Sequence, residues 1–177
     1  MDTFETIRSR LSIMHFKKAS VPWEVKMEIL EAARLSPSGI NSQHWRFILI
    51  NESQDLATLA KLSTTGKWVE SADFAVVVLT NQEYPFHLLD AGQAIMSMAL
   101  AAWNRGVGSR IYTGFNRERM REFLGLSQTD ETGETLDLTI TAVVGFGYPA
   151  RKVVGRKKRL PLERIAFKGK YGVPLRV

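Results

Sequence analysis

The sequence predicts one domain built on a β-sheet with helices on its faces, in the α+β or α/β class. Three observations lead there. The 177 residues contain no repeat, linker or break in composition, so a single domain accounts for the whole of 1–177. The hydrophobic share of 45% and charged share of 24% are those of an ordinary globular protein. Segments with helical spacing also alternate with short β-branched runs in the order helix, strand, helix, strand, long helix. A chain of this length buries roughly 70% of its unfolded surface, enough for a core without covalent staples.

The first clear element is "VPWEVKMEILEAARLS". Pro22 stands near its first turn, and Val25, Ile29, Ala32, Ala33 and Leu35 fall on one face, which predicts a helix ending near Ser36. "HWRFILIN" and "DFAVVVLT" are short, β-branched and aromatic, and read as buried strands. "FHLLDAGQAIMSMALAAWNRGVG" is helical and stops at Gly106. Its apolar residues, among them Ile95, Met96, Met98, Leu100 and Trp103, run almost all the way round, which fits either a central helix of a monomer or one that also meets a second subunit. "NRERMREFLGL" predicts a shorter helix capped by Asn116. Residues 127–135 read as a polar loop. "TLDLTITAVVGFGYP" starts as an apolar/Thr alternation and becomes wholly apolar, so it is a strand that enters a sheet half-exposed and stops at Gly147 and Pro149. The tail "KYGVPLRV" has strand character and can pair with its own sheet or a partner's.

Several chemistries are excluded by residue type. The absence of Cys removes disulfides, thiolate zinc sites and thiol nucleophiles. His15, His44 and His87 have no metal-ligand spacing. No apolar run has the length of a membrane span and the N-terminus lacks a signal-peptide pattern, which predicts a cytoplasmic protein with no membrane partner. Lys and Arg outnumber Asp and Glu by 24 to 18, a net charge of +6, so an anionic ligand is expected. Much of the excess lies in "ARKVVGRKKR", which reads as a solvated loop, a nucleic-acid patch or a clamp for a cofactor phosphate. No helix-turn-helix, zinc-finger or ribonucleoprotein motif accompanies it, so nucleic acid is not the expected partner.

The loop "SPSGINSQHWRF" offers hydroxyl and amide groups at Ser36, Ser38, Asn41 and Ser42, with Gly39 permitting close approach to the backbone. By residue type alone it is a helix stop followed by an Asx turn. Its pattern Pro-Ser-x-x-Asn-x-Gln-x-Trp-x-Phe, at Pro37, Ser38, Asn41, Gln43, Trp45 and Phe47, resembles the signature of the FMN-dependent nitroreductase family. So do the preceding "ILEAARLSPS", the N-terminal "RLSIMHF" with Arg10, Ser12 and Phe16, the glycine-containing "GVGSRIYTGF", and "KKRLP" with Lys157, Arg159 and Pro161. Their order and spacing span nearly the whole chain.

The resemblance implies an α+β fold with a mixed, mostly antiparallel sheet flanked by helices. It also implies a homodimer carrying two FMN molecules at the subunit interface, with the C-terminal tail pairing with the partner. Arg10, Leu11, Ser12 and Met14 would lie along one FMN, and Lys157 and Arg159 would join Arg10 and Ser12 at its phosphate and ribityl chain. Pro37, Ser38, Gly39 and Asn41 would reach that flavin from the other subunit, and Thr113 and Gly114 would present backbone N–H groups to its N5 and O4 edge. The implied activity is that of an oxidoreductase passing hydride from NADH or NADPH through flavin N5 to a nitroaromatic, quinone or similar small-molecule acceptor. Dehalogenation, desaturation and flavin cleavage are alternatives known among relatives. Three positions depart from the family pattern. Met14 stands where a cation is frequent, with Lys17 or Lys18 as nearby substitutes, Leu11 stands where a basic residue is frequent, and His44 stands where Pro is usual. As a loop residue with no proton-transfer partner in view, His44 reads as incidental.

Overall fold

The computed structural model describes residues 2–126, 137–155 and 157–175, so the polar loop expected at 127–135 lies outside the described residues. Five helices, α1 (Thr3–Ser9), α2 (Trp23–Arg34), α3 (Ser53–Leu62), α4 (His87–Asn104) and α5 (Arg117–Phe123), surround strands β1 (Arg46–Ile50), β2 (Phe74–Asn81), β3 (Gly108–Tyr112) and β4 (Leu138–Gly147). The sheet runs β1-β2-β4-β3 with every neighbouring pair antiparallel. Its only parallel element among the described residues is the isolated Ser12–Ser109 bridge at the β3 edge.

The period of two along β2 divides the core. Phe74, Val76 and Val78 face α2 and α4, whereas Ala75, Val77 and Leu79 face α3 and the Phe115–Met120 region. Every residue of β2 is buried because both sheet faces are covered. Phe74 stacks on Phe146 across the β2–β4 pair with centroids 4.8 Å apart. A register shift between Val78 and Leu79 leaves Thr141 unpaired in β4, and its hydroxyl meets that of Thr80 at 2.7 Å.

Two expectations about burial are corrected. β1 is a half-buried edge strand whose first residue, Arg46, is exposed and whose last, Ile50, is buried. An edge strand has a ladder partner on one side only, which its composition does not reveal. Leu35 is exposed because α2 ends at Arg34, and the buried face carries Lys26 instead. The Lys26 ammonium lies 2.8 Å from Asp73 and over the Phe74 ring, so a charge is accommodated inside by its pairing. β3 escapes a reading for strands because it is only five residues long, from its glycine start to the turn at Thr113.

The C-terminal segment turns back on itself through a Phe167–Pro174 bridge, and among the described residues it joins no strand of the sheet. Along α4, Leu88, Leu89 and Met96 are exposed while Ala91, Ala94, Met98 and Ala102 are buried. The helix that reads as apolar all round therefore packs one side inward and leaves a second apolar side uncovered. No helix among the described residues is long and apolar enough to cross a membrane.

Candidate functional site

The sequence-predicted residues form three groups. The first is a cluster of cations. α1 stops at Ser9, and Arg10 leaves the helical conformation as its C-cap. The helix is tied to α4 by Trp103 Nε1 donating to Ser9 Oγ at 2.9 Å. From the other end of the chain, Lys157 Nζ donates to the Ile7 carbonyl in the last turn of α1. Lys157 sits between Arg10 and Arg159; burial, then these two guanidinium charges, hold its ammonium below the ordinary lysine value. Among the described residues no carboxylate forms an ion pair with any of the three. Lys157 and Arg159 line a recess of about 820 Å³ along α1 together with Glu5, whose carboxylate pairs with Arg8 at 3.1 Å.

The second group lies in a groove of about 580 Å³ that carries Leu11, Ser12 and Met14. Ile13 N donates to Ser109 O at 3.0 Å, and Ala150 N donates to His15 O at 2.8 Å, so this segment is stitched between β3 and the chain leaving β4. Arg110, which sequence reading overlooks, enters the groove from β3 with its guanidinium 5.8 Å from the Trp68 ring. Lys17 and Lys18 line a different recess, with Lys17 over Tyr148. Arg110, Arg151 and Lys152 are the cations that line the groove with Met14. Thr113 and Gly114 follow β3 directly. Gly114 O accepts from Thr64 N at 2.8 Å, and a Cβ at Gly114 would lie 2.4 Å from Thr64 Oγ1 and 2.7 Å from Thr65 Oγ1. A side chain there would press on the threonine side chains of the 64–65 turn.

The third group, Pro37 to Asn41, is elsewhere. Ser36 Oγ contacts Ser97 Oγ at 2.7 Å, and Ser38 Oγ accepts from Gln43 N at 3.1 Å, so these hydroxyls build the loop. Gly39 N donates to Asp90 Oδ2 at 3.0 Å. A Cβ on Gly39 would come within 2.6 Å of the Phe86 ring, so the missing side chain leaves room for that aromatic residue. Gly39→Ala is expected to cost about 1 to 2 kcal/mol from this overpacking, read as a lower urea midpoint. Ile40, Asn41 and Gln43 have φ of 49°, 57° and 46°. This is the left-handed region that non-glycine residues occupy at a cost of roughly 1–2 kcal/mol each. Such strain persists only where surrounding contacts over-determine it.

Those contacts correct the reading of His44. Its Nε2 lies 3.1 Å from Asp90 Oδ2, its ring stacks on Tyr84 at 4.9 Å, and both His44 and Asp90 are buried. The histidine is thus the anchor of the strained loop, and its partner is in the first turn of α4, beyond the reach of any local pattern. Pro37 borders the exposed apolar strip of α4 formed by Leu88, Leu89 and Met96. None of the described grooves is lined by both this loop and the cations.

Comparison with known proteins bears on the family and the fold. The Nitroreductase family model matches residues 7–83 and 64–148. A NADH dehydrogenase/NAD(P)H nitroreductase of Archaeoglobus fulgidus is 29% identical over 157 residues, covering 84% of this chain and 86% of the relative. The structure of an FMN-dependent nitroreductase from Clostridium difficile superposes with a TM-score of 0.81 at 21% identity, covering 95% of this chain and all of that one. That of an oxidoreductase containing FMN superposes at 0.79 with 26% identity, covering 98% and 94%. The extent of the family match and the shared fold lead to one conclusion: the chain belongs to the nitroreductase family.

Proposed function

We propose that the protein is a cytoplasmic, FMN-containing NAD(P)H-dependent oxidoreductase that acts as a homodimer of single-domain subunits on a small-molecule acceptor such as a nitroaromatic or quinone. The observation that carries this reading is that the charges of Arg10 and Arg159, from opposite ends of the chain, both bear on Lys157, while none of the three is in an ion pair among the described residues. A phosphate monoester suits that donor set, since a guanidinium meets its oxygens in pairs and an ammonium adds a compact charge. When bound, FMN supplies the redox chemistry, accepting hydride from a nicotinamide and passing reducing equivalents to the acceptor.

The residues of this chain bind and orient. Arg10, Lys157 and Arg159 hold the phosphate, Ser12 the ribityl chain, Leu11 and Met14 flank the cofactor, and Thr113 and Gly114 offer backbone N–H groups to the ring edge. Pro37, Ser38, Gly39 and Asn41 serve the partner's cofactor, a role favoured by their separation from the cations within one subunit and by the apolar strip beside Pro37. The C-terminal segment extends toward the partner.

The direct test is the visible spectrum of the purified protein. A yellow chromophore released on denaturation and identified by mass as FMN is expected, and a colourless protein that takes up no added FMN refutes the reading. Met14→Lys adds a cation beside the cofactor and is expected to raise the flavin midpoint potential while FMN retention stays unchanged. An unaltered potential in a redox titration would leave Arg110 as the cation already in that role.

A further inference from the structure

The loop between α2 and β1 is held in a conformation that its own subunit does not use. Ile40, Asn41 and Gln43 are all left-handed, and for a β-branched residue such as Ile40 this is an outlier rather than ordinary turn geometry. Burial of the loop does not account for it: no residue from Gly39 to Gln43 is buried, and Ile40 is 87% exposed. Strain of this kind persists where the surroundings impose it, and it clusters at ligand clamps. The imposing contacts are made at the two ends of the loop. Asp90 Oδ2 stands 3.0 Å from Gly39 N and 3.1 Å from His44 Nε2. An ionised carboxylate only accepts, so both nitrogens donate to this one oxygen. The His44 ring is fixed in that orientation by Tyr84, stacked at 4.9 Å, and by Phe86, tilted at 6.2 Å.

Asp90 therefore clasps the loop before Ile40 and after Gln43, from the first turn of α4. The same turn carries Leu88 and Leu89, which with Pro37 line the uncovered apolar strip. The loop adjoins this strip at Pro37, so its strained residues stand beside the side of the subunit where the proposed partner sits. We infer that His44 and Asp90, with Tyr84 behind the ring, are positioning residues for the cofactor site of the neighbouring subunit. They hold Gly39 to Gln43 in the binding conformation before the FMN arrives. The inference rests on the proposed function for the identity of the ligand and for the sharing of the site. His44 and Asp90 are buried, and they act through the loop rather than on the cofactor. The effect is one of population. A loop freed from its clasp relaxes to less strained conformations, and the apparent affinity falls with the fraction of molecules left in the binding form. A role confined to the stability of one subunit has no such reach across the interface.

The experiment uses the full chain loaded with FMN. His44→Ala is expected to lower FMN affinity about tenfold, corresponding to a binding-competent fraction of about one in ten, while the protein still sediments as a dimer. His44→Gln keeps an N–H for Asp90 and is expected to recover most of that affinity. The deciding measurement is made on a hybrid dimer, purified through two different tags, of one His44→Ala subunit and one Arg159→Ala subunit. One of its sites pairs the intact clamp of the first subunit with the intact loop of the second. About one FMN per hybrid dimer is therefore expected at an FMN concentration that leaves both variant homodimers nearly empty. Tyr84→Ala, at a half-buried position, replaces His44→Ala in the hybrid if the latter does not fold. A hybrid as empty as the two homodimers overturns the inference, because the loop then serves its own subunit alone. Unchanged FMN affinity in His44→Ala, or no recovery in His44→Gln, overturns it as well. A parent that takes up no FMN refutes the flavin reading and this inference with it, whereas a loaded parent with an empty hybrid refutes this inference alone.

Discussion

Arg159→Ala is expected to lower FMN affinity by ten- to a hundredfold, and Arg10→Ala by a similar factor. Each replacement removes a charge-assisted contact to a phosphate, a loss of about 1.5 to 3 kcal/mol. The two residues are 149 positions apart, yet both charges bear on Lys157. Arg151→Ala and Lys152→Ala, which lie between them in sequence and outside the cluster, are expected to leave FMN retention nearly unchanged. Retention measured by fluorescence after dialysis for the four single variants tests this directly. A nucleic-acid surface would behave differently: each charge in the run would contribute alike, and duplex affinity would fall steeply with salt. Equal small losses of FMN at all four positions, together with tight salt-sensitive duplex binding by the parent, would refute the clamp.

The second large effect is expected at Leu89. It is 66% exposed beside Leu88 and Met96 on the uncovered side of α4. Covering an exposed leucine contributes about 1.5 to 3 kcal/mol, and in a two-fold interface each residue counts twice. Leu89→Arg removes that contribution and brings two cations together across the axis. The parent is expected to sediment at twice the 20.0 kDa chain mass, and the variant at the mass of one chain with most of its FMN lost, because Pro37 to Asn41 would no longer reach the neighbouring cofactor. The folded state should survive, since Leu89 makes no contribution to the buried core. A flavin-loaded parent at the mass of one chain would disprove the shared site.

The sequence by itself determined the class of fold and the positions of α2, β2, α4, α5 and β4, because those elements carry their own periodicity and caps. Asn116 caps α5 through a bond to the Arg119 N–H, as its type predicts. The alternation in "TLDLTITAVV" marks where β4 passes from half-exposed to buried. The family resemblance also singled out Arg10, Lys157 and Arg159, whose charges the fold brings to bear on one another. What only the tertiary structure decided depends on residues distant along the chain. His44 reads as incidental until Asp90, 46 positions later, is found 3.1 Å from its ring. That Gly39 packs against the ring of Phe86, 47 positions later, is equally invisible in the loop's own residues. Arg110 is one charge in a short strand until the chain leaving β4 brings Arg151 and Lys152 to the same groove. Local sequence carries backbone preference and the period of burial, whereas the packing partner of a side chain is set by which segments the sheet order makes neighbours.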